Sequence, residues 1–264
     1  MFPQDFLTSL LIKMAFVTIF VVAAARLAER SRPAIAALIA TLPISIGPIF
    51  VLLSLEHDSA FLGSAALKSI ASVGATLGFI AVYANSATRF GPLKALSIGY
   101  LYWAPMAFFV HSVDWSLSSS LAFLGLVAAV SECAMRWLKE APAPVRVERR
   151  WWDIPVRATA VALLVALVTG LSHALGSSGV GTLANFPIVM SSLSLITHFR
   201  LGGRQTAAML ANTTGGMLGV GAGLVFVHLA IVHMGAPIAL PLALGISLIW
   251  NFGLYLVSRK NRTG

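Results

Sequence analysis

Apolar blocks long enough to cross a membrane follow one another along almost the whole chain, and this constrains the fold more than any other feature. A helix needs about 20 apolar residues to cross a hydrocarbon core of roughly 30 Å. Of 264 residues, 58% are hydrophobic and 10% are charged. The first block, 6–25, follows Asp5 rather than a basic stretch, so a retained helix is expected there. The sequence predicts an all-α polytopic membrane protein.

Charged or Gly- and Pro-rich breaks divide the chain into about nine predicted transmembrane helices. Basic loops follow each odd-numbered helix, and acidic or neutral loops follow each even-numbered one. The positive-inside rule then places the N-terminus outside and the C-terminus in the cytoplasm, with Lys13 and Lys68 as exceptions. The helices are predicted at 6–28, 33–55, 60–86, 92–112, 117–138, 153–174, 180–199, 205–233 and 237–258.

The two halves of the sequence resemble each other. Lys13 aligns with Arg157, and segment 40–43 aligns with segment 184–187, both ending in proline. The loop charges give the halves opposite orientations, with the fifth helix as the connection that inverts the second half. We therefore predict a 4+1+4 inverted repeat, with a first repeat at 1–112, a linker helix and basic loop at 113–152, and a second repeat at 153–264.

Prolines inside the second and seventh predicted helices are the strongest local signal for a site. Proline removes a backbone donor and clashes with the preceding turn, so each helix should kink or break near the midplane and free backbone groups there. Paired breaks in inverted halves are typical of transporter sites. Two kinked helices that pack without a ligand are the alternative. The candidate substrate-binding residues here are Thr41, Pro43, Ser45, Gly47, Asn185, Pro187, Ser191 and Ser192.

Two lysines, Lys13 and Lys68, lie well inside the first and third predicted helices. An unpaired lysine at such a depth costs a few kcal/mol unless it snorkels, pairs or faces water. Snorkelling to the outer interface is one interpretation. The other is an anion site, in which the lysines attract a carboxylate or phosphate towards the half-helix ends.

The eighth predicted helix combines polar residues with glycines four apart, such as Gly215 and Gly219. Glycines at this spacing let another backbone approach closely, so packing is the default interpretation. The polar side chains could instead face a cavity beside Asn185. These further candidates are Asn212, Thr213 and Thr214, together with Asn251 in the ninth helix.

Proton coupling has few candidate residues, because acidic side chains are scarce inside the predicted helices. Glu132 has Arg136 four residues later, which favours a local ion pair over a coupling carboxylate. Coupling would otherwise use a histidine, His198 or His228.

The sequence contains no strong pattern for catalysis or cofactor binding. Segment 176–179 matches the GxSG of rhomboid-like intramembrane proteases, but small flexible residues are expected in an outer loop anyway. No metal-ligand cluster, P-loop or dinucleotide fingerprint occurs, and the single Cys133 excludes an intramolecular disulfide. The net charge of +9 is spread over short loops, so nucleic acid is not expected as a partner. We predict neither enzyme activity nor a cofactor or metal.

The segments 185–199 and 34–48 resemble small bacterial inner-membrane proteins of the GlpM-like kind. In those proteins an apolar helix with a central Phe-Pro ends in a His-aromatic pair, here His198 and Phe199. The resemblance implies a bacterial inner membrane and no particular activity.

Two functions fit these features. The first is a secondary transporter or lipid-linked flippase, with a central site between helices 2 and 7 for a small anionic or zwitterionic substrate. The second is a non-transporting scaffold or accessory subunit of an envelope-synthesis complex. Expected partners are the bilayer, the substrate, and a second copy or an envelope-complex subunit. An intramembrane enzyme is weakest, since no nucleophile or general acid–base pair is arranged for it.

Overall fold

The computed structural model describes residues 4–30, 45–139 and 152–263, and these ranges contain helices and their connections but no strand. A single 3₁₀ turn at Arg136–Leu138 follows the fifth helix. The helices are α1 (Gln4–Arg30), α2 (Ile46–Leu53), α3 (Ser59–Ala87), α4 (Pro92–Ser112), α5 (Leu117–Met135), α6 (Asp153–Gly170), α7 (Ser172–Leu183), α8 (Ile188–Leu201), α9 (Gly203–Ala211), α10 (Thr214–Met234) and α11 (Ala236–Thr263).

Six helices in the described ranges are long and apolar enough to cross a membrane, namely α3, α4, α5, α6, α10 and α11. A seventh span results if α7 and α8, whose axes are bent by 45°, are taken together. The prediction of an all-helical chain with several helices able to cross a membrane is confirmed for the described ranges. Of the second predicted helix only α2 is described, and residues 33–44 lie outside the described ranges.

Differences from the predicted helix bounds occur where polar residues or glycines interrupt an apolar stretch. The predicted helix 205–233 divides into α9 and α10. Asn212 and Thr213 lie at the division, and their side chains donate to carbonyls four and three residues earlier. Such local bonds compete with the helix ladder, so α9 ends there. The predicted helix 153–174 ends at Gly170, and α7 begins two residues later.

The centre of the bundle is α3, which contacts α4, α5, α7, α9 and α10. In the most apolar 18-residue stretch of α3, 89% of the residues are buried. Small residues allow the neighbours to approach: a Cβ on Gly74 would lie 3.0 Å from the ring of Phe123, and one on Gly78 would overlap Tyr102. Small residues are the usual means of close helix packing in membranes.

The connections lie at two ends of the bundle. At one end His57 Nε2 lies 2.8 Å from Ser172 Oγ, so the connections after α2 and α6 meet. At the other end Asn85 Nδ2 lies 3.3 Å from the Ala134 carbonyl oxygen, so α3 and α5 finish together. We call these the His57 end and the Asn85 end. Loops that the charge pattern assigns to one side of the membrane therefore meet at one end of the bundle.

Close packing of α7 on α3 predicts that Gly181→Ala destabilises the protein. The added Cβ would overlap the Ala65 carbonyl oxygen and lie 2.8 Å from Lys68 Cβ. We expect a loss of about 1–3 kcal/mol, typical of overpacking, measured as a lower unfolding midpoint in detergent. Gly125→Ala is the matched control, because a Cβ there meets no atom within 4 Å. Equal midpoints for both variants would contradict the close contact.

Candidate functional site

The sequence-predicted site centres on segment 184–187, which separates α7 from α8 and which we call the break. Pro187 precedes the first residue of α8 and has no N–H to continue the ladder of α7. It also disfavours a helical conformation at Phe186. α7 is itself interrupted at Gly176, whose φ is 61°, so the chain bends both within α7 and at the break.

Three hydroxyls of α3 bind the backbone carbonyls on α7 and at the break. Ser69 Oγ donates to Gly181 at 2.9 Å, Ser72 Oγ to Thr182 at 2.9 Å, and Thr76 Oγ1 to Asn185 at 2.7 Å. All three bonds are buried. We call these residues the hydroxyl ladder. In hydrocarbon an unpaired carbonyl is costly, so the ladder lets the helix break without a bound ligand.

Asn185 brings a side-chain amide into this interior. The residue is 4% exposed, and its Nδ2 makes long contacts with the carbonyl oxygens of Ser69 (3.4 Å) and Gly181 (3.3 Å). Its Oδ1 is buried and has no hydrogen-bond partner among the described residues. The break therefore contains an acceptor that a ligand donor could use.

Aromatic residues of α4 close the other side of the break. Phe186 stacks on Tyr100 with ring centroids 5.6 Å apart and meets the edge of Trp103 at 4.9 Å. Tyr100 Oη lies 2.8 Å from Ser191 Oγ on α8. Both ends of the break are thus fixed, by α3 through hydroxyls and by α4 through rings.

The two lysines have partners away from the break. Lys13 Nζ lies 2.5 Å from Glu56 Oε1, and Lys68 Nζ donates to the carbonyls of Val113 (2.5 Å) and His111 (3.3 Å). Both ammonium groups therefore lie towards the His57 end. This placement agrees with the snorkelling interpretation of Lys68 and gives Lys13 an ion-pair partner.

Most other candidate residues bind their own helices. The hydroxyl or amide groups of Ser192, Asn212, Thr213 and Asn251 donate to carbonyls three or four residues earlier. Thr214 Oγ1 is buried, with no partner among the described residues. Ser45 precedes α2 without capping it through its side chain. Thr41 and Pro43 lie outside the described residues.

The three candidate proton carriers do not form one chain of contacts. Glu132 pairs with Lys139 at the Asn85 end. His198 Nδ1 lies 3.1 Å from Tyr83 Oη, whereas His228 Nδ1 lies 2.8 Å from the Gly63 carbonyl oxygen. A carbonyl only accepts, so His228 carries its proton on Nδ1 if neutral.

Sequence reasoning missed a bidentate ion pair between Asp153 and Arg200. The two N–O distances are 2.7 and 2.6 Å, and the side chains are 10% and 18% exposed. The pair joins the start of α6 to the end of α8. The sequence signal was Asp153, an acidic residue at the start of a predicted helix, on the side of the membrane where the other loops are basic. A buried carboxylate needs a basic partner.

The His57 end contains further polar contacts that were not predicted. Ser178, the serine of the GxSG match, has Oγ 3.3 Å from His111 Nδ1 and 3.4 Å from the carbonyl of the same residue. His57 stacks on Phe61, and its ring centroid lies 4.5 Å from that of His173. Burial and the neighbouring His173 lower the pKa of His57 below its ordinary value.

An apolar cavity of about 240 Å³ lies between α1, α2, α10 and α11. We call it the apolar groove. Gly47, one of the candidate site residues, lines it rather than the break. Its lining residues fall within 16–20, 46–51, 220–227 and 240–247.

No protein-family model, no curated protein and no solved structure matches the chain. The resemblance to GlpM-like proteins therefore stays a prediction. Among the described residues no group of three or more His, Cys, Asp or Glu side chains is placed to hold a metal ion.

Removal of the hydroxyl ladder in the triple variant Ser69→Ala, Ser72→Ala, Thr76→Val should destabilise the break. At roughly 0.6 kcal/mol per membrane hydrogen bond, we expect a loss of about 2 kcal/mol in unfolding free energy. Unfolding in mixed detergent micelles measures it. Ser97→Ala is the control, because Ser97 Oγ donates to Leu93 on its own exposed helix surface. A triple variant as stable as this control would show that the ladder contributes nothing.

Proposed function

We propose that this chain is a membrane transporter or lipid-linked flippase that moves a small anionic or zwitterionic substrate across the bacterial inner membrane. The observation that carries the proposal is the break between α7 and α8, with the unpartnered Oδ1 of Asn185 inside it. Broken helices expose helix ends and unpaired backbone groups near the midplane, where transporters bind their substrates.

We propose nine spans arranged as a 4+1+4 inverted repeat. In this scheme α2 belongs to one span, α7 and α8 form a second, and α9 and α10 a third. Some helix contacts support the scheme. Helices that correspond in the two repeats contact each other, namely α1 with α6 and α3 with α10. The contact between α3 and α4 in the first repeat corresponds to that between α10 and α11 in the second. Likewise, the contact between α4 and α8 corresponds to that between α11 and α2.

The break supplies both signs of partial charge to a substrate. The N-terminus of α8 favours an anionic group, and the Oδ1 of Asn185 accepts a hydrogen bond from a cationic or neutral donor. A substrate donor can also replace a ladder hydroxyl on the carbonyls of Gly181, Thr182 or Asn185. Rocking of one repeat against the other would then open the break to either side.

The second candidate function, a scaffold or accessory subunit of an envelope-synthesis complex, is favoured by the ladder itself. Three carbonyls near the break already have partners, and 89% of the most apolar stretch of α3 is buried. A bundle closed in this way is stable without a substrate.

Cysteine labelling from each side of the membrane separates these functions. In a Cys133→Ser background, Ser191→Cys and Ser192→Cys should react with a charged, membrane-impermeant thiol reagent from at least one side. A transporter hydrates its site, so we expect labelling in right-side-out cells, inside-out vesicles or both. Phe108→Cys, at a side chain 73% exposed on the outside of α4, is the control and should stay unlabelled in hydrocarbon.

Absence of labelling at Ser191→Cys and Ser192→Cys from both sides, in protein that purifies as a single folded species, would reject the transporter and favour the scaffold.

The orientation of the repeats has its own test. Alkaline phosphatase fused after Asp114, Lys139 and Gly176 should be active, inactive and active, because the positive-inside rule places the basic loop after α5 in the cytoplasm. Cytoplasmic reporter fusions at the same positions should give the opposite series. An inactive, active, inactive result with alkaline phosphatase would invert the proposed topology.

A further inference from the structure

We propose that the apolar groove binds one acyl chain of a membrane phospholipid, taken from the leaflet at the His57 end. This goes beyond the proposed function, because the groove lies apart from the break. Binding of a lipid in the groove requires no transport.

The lining of the groove excludes a polar ligand. Among the described residues that line it, Ser247 has the one polar side chain, and its hydroxyl donates to the Gly219 carbonyl at 2.9 Å and lies 3.2 Å from the Ala243 carbonyl oxygen. A charged or hydrogen-bonding ligand would lose its water here and gain no partner. An alkyl chain has no such cost.

The groove opens to the surface of the bundle. Phe16, Val51 and Leu244 line it and are 43%, 39% and 37% exposed. The lining residues of α10 span 220–227, which is about 10 Å along a helix axis. A volume of about 240 Å³ is too small to enclose a whole helix, whose diameter is about 10 Å, but it is enough for part of an alkyl chain.

An ion pair lies beyond the groove, towards the His57 end of the bundle. Lys13 precedes the lining residue Phe16 by three residues on α1, and Glu56 follows Val51 by five at the end of α2. The Lys13 ammonium lies 2.5 Å from Glu56 Oε1. An ammonium has three donors, so Lys13 can also bind a lipid phosphate while Glu56 accepts from a headgroup ammonium.

The headgroup contact gives the site its selectivity. Lipid tails and apolar side chains are equally apolar, so a chain that enters the groove gains packing but no hydrophobic free energy. The pair of opposite charges at the end of the groove therefore favours a zwitterionic phospholipid, with its chain along α10 and its headgroup at Lys13 and Glu56.

Gly47 supplies a variant that fills the groove without disturbing the fold. It lines the groove, and a Cβ built on it meets no atom within 4 Å. Gly47→Leu therefore places a side chain in open space. Gly125→Leu is the matched control, since Gly125 has equally open surroundings on α5, away from the groove.

The test is photolabelling of the full chain in nanodiscs that contain phosphatidylethanolamine with a diazirine on one acyl chain. Peptide mapping should find label concentrated at groove residues such as Leu224 and Val227, above the level at the lipid-facing Phe108 and Leu126. Gly47→Leu should reduce groove labelling about tenfold, equivalent to about 1.4 kcal/mol of binding. Gly125→Leu should leave it unchanged, and Lys13→Gln should reduce it by removing the phosphate contact.

Label spread evenly over the groove, Phe108 and Leu126 would overturn the proposal, because it would indicate only the lipid layer that surrounds any membrane protein. Undiminished labelling in Gly47→Leu would overturn it as well. So would a photoreactive amino acid at Val51 that crosslinks to residues 31–44 or to a second copy, since protein would then fill the groove.

The results also separate this inference from the proposed function. Groove labelling together with an unreactive break indicates a lipid-binding scaffold. A reactive break with an unlabelled groove supports the transporter and overturns the lipid site alone.

Discussion

The requirement that every backbone polar group find a partner inside hydrocarbon governs this structure. The chain breaks a helix in the middle of the bundle, which by itself would leave carbonyls unpaired. Three hydroxyls on α3, at positions 69, 72 and 76, lie on one helix surface and supply the donors. The break is therefore tolerated only because α3 lies beside it.

The same helix links the two halves of the chain. It contacts α4 in the first half and α7, α9 and α10 in the second, and its glycines allow close approach. The polar contacts of the bundle include those at the break at the centre, the Lys13–Glu56 pair with His57 at one end, and the Asp153–Arg200 pair towards the other. The apolar groove lies apart from the break. A lipid function and a central polar site are therefore compatible in one bundle, because different helices build them.

Particular residues show how far sequence reasoning reached. Helix α4 has the predicted bounds of 92–112, since Pro92 starts it and a polar loop follows Ser112. Pro187 correctly indicated a discontinuity in the seventh predicted helix, but the division of the eighth at Asn212 was not predicted. The partners of the candidate residues were harder to predict from the sequence. Glu132 binds Lys139, three residues beyond the expected Arg136, and the hydroxyls of Ser69, Ser72 and Thr76 carry no signal on a uniformly apolar helix.

The sequence alone determined that the chain is a bundle of apolar helices with connections at two ends, because length, hydropathy and loop charge act locally and need no knowledge of neighbours. It also located the break, since proline acts on its own backbone. Only the tertiary structure decided which carbonyls are paired, where the lysines find partners, and that α1, α2, α10 and α11 enclose a groove. Those outcomes depend on contacts between residues far apart in the chain, and in an apolar sequence many helix faces could make such contacts equally well.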